Sequence, residues 1–367
     1  MTAPRIAIAH DYLTQRGGAE RVVLAMQRAF PEAVIYTTLY HPEGTYPDFA
    51  AATIRTSWLN RFGVFRRDHR KALPLLAFAA NSLRVDADVV VVSTSGWAHG
   101  FPTRGRRVVY CYSPARWLYQ TETYLGGKAT RSLKGVVLLA LRPVLRRWDR
   151  KRARAAGNYL AISRVVQDRI RACYGMDSAV VPAPHSFDAS RPLEPIGELA
   201  GQDGYYLVVS RLLPYKNVIE VVEAFRQLPQ QRLVIIGDGP LRETLLAGLP
   251  TNVTLLRGLS DAQMRYAYRH CRAVIAPSIE DYGLTPLEGG VFGKPTLALR
   301  GGGYLDTIAE GLSGAFFDTP TAAAIVEAVR ADRDDWDAAA IAAHVDQFSE
   351  RHFIQRLRDE VARLANR

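Results

Sequence analysis

Short runs of strand-forming residues alternate with longer helical patterns along the whole chain, and this alternation constrains the fold most. Continuous apolar strands that alternate with helices are typical of parallel sheets with helices on both faces. A proline-rich stretch, 181–195, interrupts the pattern near the middle of the chain. The sequence therefore predicts an α/β protein with two parallel-sheet domains. The predicted strands are 5–9, 88–93, 107–112 and 159–162 before the break, and 205–209, 232–236, 253–256, 273–276 and 295–299 after it.

Length and composition agree with this organisation. A chain of 367 residues is too long for one hydrophobic core, and 48% hydrophobic with 23% charged residues is ordinary for a globular protein. The three cysteines have no CxxC spacing, which argues against a disulfide framework. No apolar run approaches the roughly 20 residues that span a bilayer, and the N-terminus does not resemble a signal peptide. We expect a soluble, cytoplasmic protein of two Rossmann-like domains in tandem, with a cleft between them.

The net charge of +11 is unevenly distributed. Residues 1–184 carry 28 Lys and Arg against 12 Asp and Glu, whereas residues 185–367 carry 19 against 24. The basic first half is expected to meet something anionic, which could be a membrane surface, a phosphorylated substrate or nucleic acid. A bias of the genome toward arginine codons would also explain this excess.

Parallel sheets bind ligands at the carboxyl ends of their strands, so the loops there are the candidate sites. The first such loop follows the first predicted strand and contains His10, Asp11, Gly17 and Gly18. Paired glycines before a helix let backbone amides approach an anion, although a tight turn would explain them equally well. The loop lacks the GxGxxG spacing of dinucleotide-binding proteins.

Two cations, Arg211 and Lys216, lie in the loop after the first strand of the second series. Arginine offers a planar fork and lysine a point charge, so together they could hold a diphosphate beside the helix that follows. The alternative is a pair of solvated surface charges.

The most specific motif has two carboxylates eight positions apart, Glu280 and Glu288. Carboxylates accept hydrogen bonds from sugar hydroxyls, so the two could contact two rings of one ligand. Alternatively, Thr285 as the N-cap and Pro286 at N1 would make Glu288 part of a capping box. That alternative leaves Glu280 unexplained.

Metal binding is not expected. Asp86 and Asp88 match a DxD pattern but precede their strand, and no His or Cys cluster has zinc spacing. A nucleophile elbow is also absent from the sequence.

Taken together, these loops resemble the retaining glycosyltransferases of family 4, whose GT-B fold has two facing Rossmann-like domains. The resemblance is closest to a bacterial mannosyltransferase-like branch that builds surface polysaccharides and glycolipids. The residues that carry it are the Glu280 to Glu288 element, 210–216, 236–240, Gly302 and Gly303, 17–20, His10 and Asp11, 111–116, and 148–150.

The resemblance implies three segments: an acceptor-binding domain, 1–184; a nucleotide-sugar-binding domain, 185–347; and a last helix, 348–367, that crosses back to the first domain. It also assigns roles. Arg211 and Lys216 would bind the donor diphosphate, Glu280 the transferred sugar and Glu288 the ribose, and the catalytic residues would be Arg211, Lys216 and Glu280. The other donor-binding positions would be Gly17, Gly18, Tyr112, Gly258, Leu259, Tyr282, Gly283, Leu284 and Thr285.

Two positions depart from the branch, which usually has His where Tyr112 and Gly96 stand here. Tyrosine is a poor proton acceptor near neutral pH. The departures affect the identity of the sugar and the acceptor rather than the diphosphate site. We take GDP-mannose as the leading donor, used as a co-substrate without a further cofactor.

The predicted function is metal-independent, retaining transfer of a hexose, such as mannose, from a nucleoside-diphosphate sugar to a lipid-linked or polysaccharide-precursor acceptor. The segments 58–71 and 141–154 mix aromatic or apolar residues with arginine, which suits an anionic membrane and peripheral attachment to the inner face of the plasma membrane. Solvated helix faces would explain them equally well. The alternatives are a nucleotide-sugar epimerase or hydrolase on the same scaffold and a basic nucleic-acid-binding protein. Nucleic-acid binding would not explain the Glu280 to Glu288 motif in the acidic second half of the chain, so no nucleic-acid partner is expected.

Overall fold

The computed structural model describes residues 4–120, 133–185 and 187–365. These residues form two compact units. The first comprises residues 1–184 together with 350–367, and the second comprises 185–349.

The first unit is built on a seven-stranded sheet in which every neighbouring pair is parallel. The strand order is β3-β2-β1-β4-β5-β6-β7, so the order reverses between β1 and β4. The central strands β1 and β4 and the last four residues of β5 are almost completely buried, because helices cover both faces. The strands are β1 (Ile6–His10), β2 (Val34–Thr37), β3 (Ile54–Thr56), β4 (Val89–Thr94), β5 (Arg106–Cys111), β6 (Asn158–Ala161) and β7 (Ser178–Val180).

Among the described residues, seven helices accompany this sheet, and one of them, α14, comes from the end of the chain. That helix, α14, packs in the first unit, where Phe353 contacts the ring of Tyr110 and Arg358 donates to the carbonyl of Ala29. Arg28 and Glu350 form an ion pair between α1 and α14. The helices are α1 (Gly18–Ala29), α2 (Gly63–Arg67), α3 (Leu73–Ser82), α4 (Arg116–Tyr119), α5 (Leu133–Ala156), α6 (Arg164–Tyr174) and α14 (Glu350–Ala365).

The second unit has a six-stranded parallel sheet of order β10-β9-β8-β11-β12-β13. Its order reverses between β8 and β11, the position at which open parallel sheets bind ligands. The elements are β8 (Tyr205–Val209), α7 (Val218–Arg226), β9 (Leu233–Ile236), α8 (Arg242–Leu246), β10 (Val253–Leu256), α9 (Asp261–His270), β11 (Cys271–Ala276), α10 (Leu284–Val291), β12 (Thr296–Leu299), α11 (Tyr304–Thr307), β13 (Gly314–Phe317), α12 (Ala322–Arg330) and α13 (Ala338–Asp346).

Apolar side chains from both faces of the second sheet form its core. Val208 and Phe225 belong to a cluster on one face, and Leu207 and Tyr268 to a cluster on the other. The hydroxyl of the buried Tyr205 donates a hydrogen bond to the carbonyl of Ala267 over 2.9 Å. Both sheet faces are therefore covered, which explains why β8 to β12 read as continuous apolar runs in the sequence.

The predicted α/β class with two parallel sheets is confirmed, and the predicted strands correspond to β1, β4, β5, β6 and β8 to β12 within about two residues at each end. Four strands, β2, β3, β7 and β13, were not predicted. No helix within the described ranges has the length and apolarity to cross a membrane.

Candidate functional site

The loops that follow β8 and β11 lie side by side in the second unit. These two strands are parallel neighbours, with Tyr206 paired to Ala273 and Leu207 to Val274. The carboxyl ends of parallel neighbours lie at the same sheet edge, so residues 210–217 and 277–283 come together there. This edge is also where the strand order reverses.

Lys216 and Glu280 form an ion pair between these two loops. Lys216 ends a short 3-10 helix, Pro214–Lys216, and is 8% exposed. The hydroxyl of Ser278 donates to the same carboxylate oxygen of Glu280, Oε1, over 2.7 Å. Two of the predicted catalytic residues are therefore in direct contact.

Asn217 holds the two loops together, and its role was not predicted. Its side-chain amide donates to the carbonyl of Pro277 over 2.8 Å. Its φ of 54° is left-handed, and within residues 4–120, 133–185 and 187–365 no other residue except glycine has a positive φ. Asparagine tolerates this conformation better than most residues. Asn217 thus sets the position of Lys216 relative to the β11 loop.

The glycines after β12 fix the backbone of Glu280. The amide of Gly303 donates to the carbonyl of Glu280 over 2.8 Å. A Cβ on Gly302 would lie 2.2 Å from that carbonyl oxygen, and the φ of Gly302 is +61°. Only glycine fits so close an approach at this φ. The Gly303 amide thus positions Glu280.

Arg211 lies in the same loop as Lys216 and is exposed. Its guanidinium donates to the hydroxyl of Tyr215 over 3.0 Å, and the ammonium of Lys216 lies 5.2 Å from the centre of the Tyr215 ring. Tyr215 therefore links the two predicted diphosphate-binding cations, a connection that the spacing alone did not predict.

Glu288 lies on α10, where it accepts a hydrogen bond from the hydroxyl of Tyr268 over 2.7 Å. Burial, reinforced by this carboxylate, raises the pKa of Tyr268 well above its ordinary value. The capping-box alternative for Glu288 is wrong, because α10 begins at Leu284 with Gly283 as its N-cap and has no side-chain cap. The helix starts too early for Thr285 to be the N-cap.

The remaining predicted positions of this unit surround the same sheet edge. Gly283 packs so closely on α11 that a Cβ would lie 2.2 Å from the hydroxyl of Thr307. Tyr282 is buried and Leu284 and Thr285 are half-buried. Burial raises the pKa of Tyr304, whose hydroxyl also interacts with Ser278 and Thr285.

The loop after β10 carries the other two predicted positions. Gly258 adopts a φ of +68°, and Leu259 packs at the edge of the apolar core. Their contact with the donor stays a prediction.

In the first unit, the corresponding sheet edge carries a buried polar network. Asp11 follows β1, and its carboxylate accepts the amides of Ser95, Trp97 and Ala98 at 2.6 to 2.8 Å and the hydroxyl of Thr94 at 2.9 Å. This network fixes the loop after β4, which explains the burial of Asp11.

Tyr112 belongs to a second group of polar contacts at this sheet edge. Its hydroxyl donates to the carbonyl of Ala19 over 3.1 Å and lies 2.9 Å from the hydroxyl of Ser93. His10 contacts the same Ser93 hydroxyl at 2.9 Å through Nδ1. Burial raises the pKa of Tyr112 far above its ordinary value. Its predicted donor-binding role stays a prediction.

The paired glycines start α1. Gly17 is the N-cap and Gly18 the first helical residue. Glu20 is 1% exposed, and its Oε2 would lie 2.6 Å from a Cβ on Gly17. Burial raises the pKa of Glu20 despite a hydrogen bond from Gln15. Any residue with a side chain at position 17 would therefore clash with the Glu20 carboxylate, so this contact alone explains the glycine.

In the part of the chain that the structure describes, no three His, Cys, Asp or Glu side chains cluster as a metal site would require.

Residues 192–342 match the family described as Glycosyl transferases group 1. The match lies wholly within the second unit, 185–349. The matched range includes β8 to β13 and the whole of the Lys216–Glu280 contact.

Curated relatives match parts of the chain. The GDP-mannose-dependent alpha-(1-6)-phosphatidylinositol monomannoside mannosyltransferase of Mycolicibacterium smegmatis is 26% identical over 212 residues, 51% of this chain and 56% of that protein. The alpha-1,3/1,6-mannosyltransferase ALG2 of Dictyostelium discoideum is 38% identical over 68 residues, 18% of this chain and 16% of that protein. A glycogen synthase of Thermus thermophilus is 30% identical over 152 residues, 38% of this chain and 35% of that protein. The alignments thus span little more than half of the first relative and less of the others.

Solved structures match nearly the whole chain. HepE of Anabaena in complex with UDP-glucose has a TM-score of 0.72 at 16% identity and covers 98% of this chain and 100% of its own. Sucrose-phosphate synthase of Thermosynechococcus elongatus has a TM-score of 0.70 at 14% identity and covers 98% of this chain and 99% of its own. This likeness shows the fold, which is GT-B.

Proposed function

We propose that this protein is a retaining glycosyltransferase of family 4 that transfers a hexose from a nucleoside-diphosphate sugar. The observation that carries the proposal is the contact between Lys216 and Glu280 at the point where the second sheet reverses its strand order. A cation and a carboxylate adjacent to each other at this edge suit a ligand with a diphosphate beside a sugar. The group 1 domain that contains both residues supports the same activity.

The chemistry follows from the leaving group. When the bond between the anomeric carbon and the diphosphate breaks, negative charge develops on the phosphate oxygens. Lys216 and Arg211 would stabilise this charge, together with the backbone amides of residues 283–285. Glu280 would hold hydroxyls of the transferred sugar and Glu288 those of the ribose. We assign no carboxylate nucleophile, and we propose that departure and attack occur on the same face of the sugar.

The donor we propose is GDP-mannose, and UDP-glucose is the main competitor. The first is named in the description of the mycobacterial relative, and the second is bound in the HepE structure. Tyr112 replaces the histidine of the mannosyltransferase-like branch, and its hydroxyl is engaged within the first unit. The sugar specificity therefore has to be measured.

We propose a lipid-linked or polysaccharide-precursor acceptor and peripheral attachment to an anionic membrane. The basic aromatic surface, which we define as residues 58–71, exposes Trp58 and Phe62 by 39% and 49%. Their rings are 6.3 Å apart, and Arg61, Val64 and Arg67 are also exposed. Basic residues near an anionic surface contribute about 1 kcal/mol each.

Two experiments test these proposals. Purified protein is incubated with GDP-mannose, UDP-glucose and other nucleotide sugars, with and without candidate acceptors, in the presence of EDTA. Acceptor-dependent release of the nucleoside diphosphate supports a transferase. Donor turnover that needs no acceptor identifies an epimerase or hydrolase instead, and no binding of any nucleotide sugar refutes the proposal. Failure to sediment with phosphatidylglycerol vesicles at low salt refutes the membrane attachment alone.

A further inference from the structure

The ion pair between Lys216 and Glu280 poses a problem for donor binding. Lys216 is 8% exposed, and one carboxylate oxygen of Glu280 receives both the ammonium of Lys216 and the hydroxyl of Ser278. A diphosphate that binds Lys216 must therefore compete with a carboxylate already in place. The chain supplies an internal anion at the position that we assign to the ligand's anion.

The backbones that carry Lys216 and Glu280 are fixed relative to each other. The backbone carbonyl of Glu280 accepts the Gly303 amide at 2.8 Å and is packed against Gly302. The side chain of Asn217, next to Lys216, donates to the carbonyl of Pro277 at 2.8 Å. These contacts keep the two charged side chains within reach of each other, so the ion pair can form again when the ligand leaves.

The energetic consequence differs between two ligands. A free nucleoside diphosphate pairs with Lys216, and the partly buried carboxylate of Glu280 then keeps only its hydrogen bond from Ser278. An unpaired charge or acceptor in such a place is costly. The diphosphate of an intact nucleotide sugar pairs with Lys216, and the hydroxyls of its sugar donate hydrogen bonds to Glu280. Only the nucleotide sugar compensates both partners of the broken pair.

We propose that Glu280 competes with the diphosphate for Lys216, so that the site selects intact nucleotide sugar over free nucleoside diphosphate. This inference rests on the proposed function. Transfer breaks the bond between the anomeric carbon and the diphosphate and forms a bond between that carbon and an acceptor hydroxyl oxygen, whose proton passes to the departing phosphate. The sugar leaves with the acceptor, and Glu280 loses its hydroxyl donors. Glu280 then recaptures Lys216 and weakens the binding of the nucleoside diphosphate product. Glu280 is therefore a specificity-determining and product-releasing residue as well as a sugar ligand.

The test is Glu280→Gln, which keeps the size of the side chain and removes its charge. The affinities of wild type and variant for GDP, UDP and ADP are measured by calorimetry, with thermal unfolding as a check of the fold. The variant should bind the preferred nucleoside diphosphate about fivefold more tightly, the factor that corresponds to an ion pair of about 1 kcal/mol. It should bind the matching nucleotide sugar no more tightly than wild type.

The matched control is Asp238→Asn. Asp238 also follows a strand of the second sheet, but its ion-pair partner is Arg257, at 3.7 Å, rather than Lys216. Its removal should change the affinity for the nucleoside diphosphate by less than about twofold, because exposed charges are screened. An equal gain in both variants would mean that general charge, not competition for Lys216, is responsible, and would overturn the inference.

The remaining outcomes separate the two proposals. If wild type binds a nucleoside diphosphate and Glu280→Gln binds it equally or more weakly, the competition is refuted and the proposed function stands. If neither protein binds any nucleoside diphosphate or nucleotide sugar, the proposed function fails and the inference fails with it. Should Glu280→Gln fail to fold, Glu280→Ala and Glu280→Ser are measured against the same prediction.

Discussion

Replacing Lys216 by alanine removes the cation that we assign to the leaving diphosphate. The side chain of Lys216 is only 10% exposed, so its charge acts where solvent screens it little. Loss of one such fixed donor costs roughly 3–4 kcal/mol of transition-state stabilisation, and each 1.36 kcal/mol is about a factor of ten. We therefore expect Lys216→Ala to lower kcat/KM by at least about a hundredfold.

The assay is the initial rate of donor turnover with the preferred nucleotide sugar, on protein whose thermal unfolding is first compared with wild type. Lys294→Ala is the matched control, since Lys294 precedes β12 and so lies at the opposite, amino edge of the same sheet. Its rate should remain close to that of wild type. Lys216→Arg should fall between wild type and Lys216→Ala, because the charge is kept but the larger guanidinium must enter a nearly closed position. A folded Lys216→Ala protein with a rate within about threefold of wild type would refute the role of Lys216.

Three further predictions concern positioning, protonation and metal. Asn217→Ala should lower the free energy of unfolding by about 2–3 kcal/mol, because the variant loses a hydrogen bond and keeps a left-handed φ, whereas Asn217→Gly should lower it by only about 1 kcal/mol. Equal decreases for the two variants in chemical denaturation would contradict this prediction. Burial raises the pKa of Glu20, so the folded state holds the carboxyl proton more tightly than the unfolded state, and the stability that Glu20 contributes falls as pH rises through its raised pKa. The melting temperature of Glu20→Gln should therefore rise relative to that of wild type between pH 4 and pH 7. A difference in melting temperature that stays constant over this range would show that Glu20 does not titrate as expected. Donor turnover should be unchanged by EDTA, and activity restored only by added Mg²⁺ or Mn²⁺ would contradict the proposed use of Lys216 and Arg211 in place of a metal.

The sequence predicted every interior strand of the two sheets except β2, and it missed three of the four edge strands. β3, β7 and β13 are all edge strands, and an edge strand is paired on one side only and needs no continuous apolar run. Ile54–Thr56, for example, places an exposed Arg55 between its two half-buried neighbours. β2 is an interior strand, and its Val-Ile-Tyr-Thr sequence did carry the β-branched and aromatic signal.

The start of α10 shows a second limit. Thr285, Pro286 and Glu288 have the spacing of a capping box, yet the helix begins at Leu284. The N-cap is Gly283, which has no side chain to mark the start of a helix, and its close approach to α11 excludes one. The spacing within the motif could not indicate this, because the contact is to a helix later in the chain.

The contact between Lys216 and Glu280 shows what sequence patterns can and cannot establish about a site. The two residues are 64 positions apart, and each was found by the chemistry of its own loop. Their adjacency follows from β8 and β11 being neighbours, which the alternating pattern does not determine, since sequential strands alone would place β8 beside β9 only. What the pattern could not indicate at all is that the two side chains bind each other. That contact joins two separate ligand-binding predictions into one site. An anion that binds Lys216 there must compete with the carboxylate of Glu280.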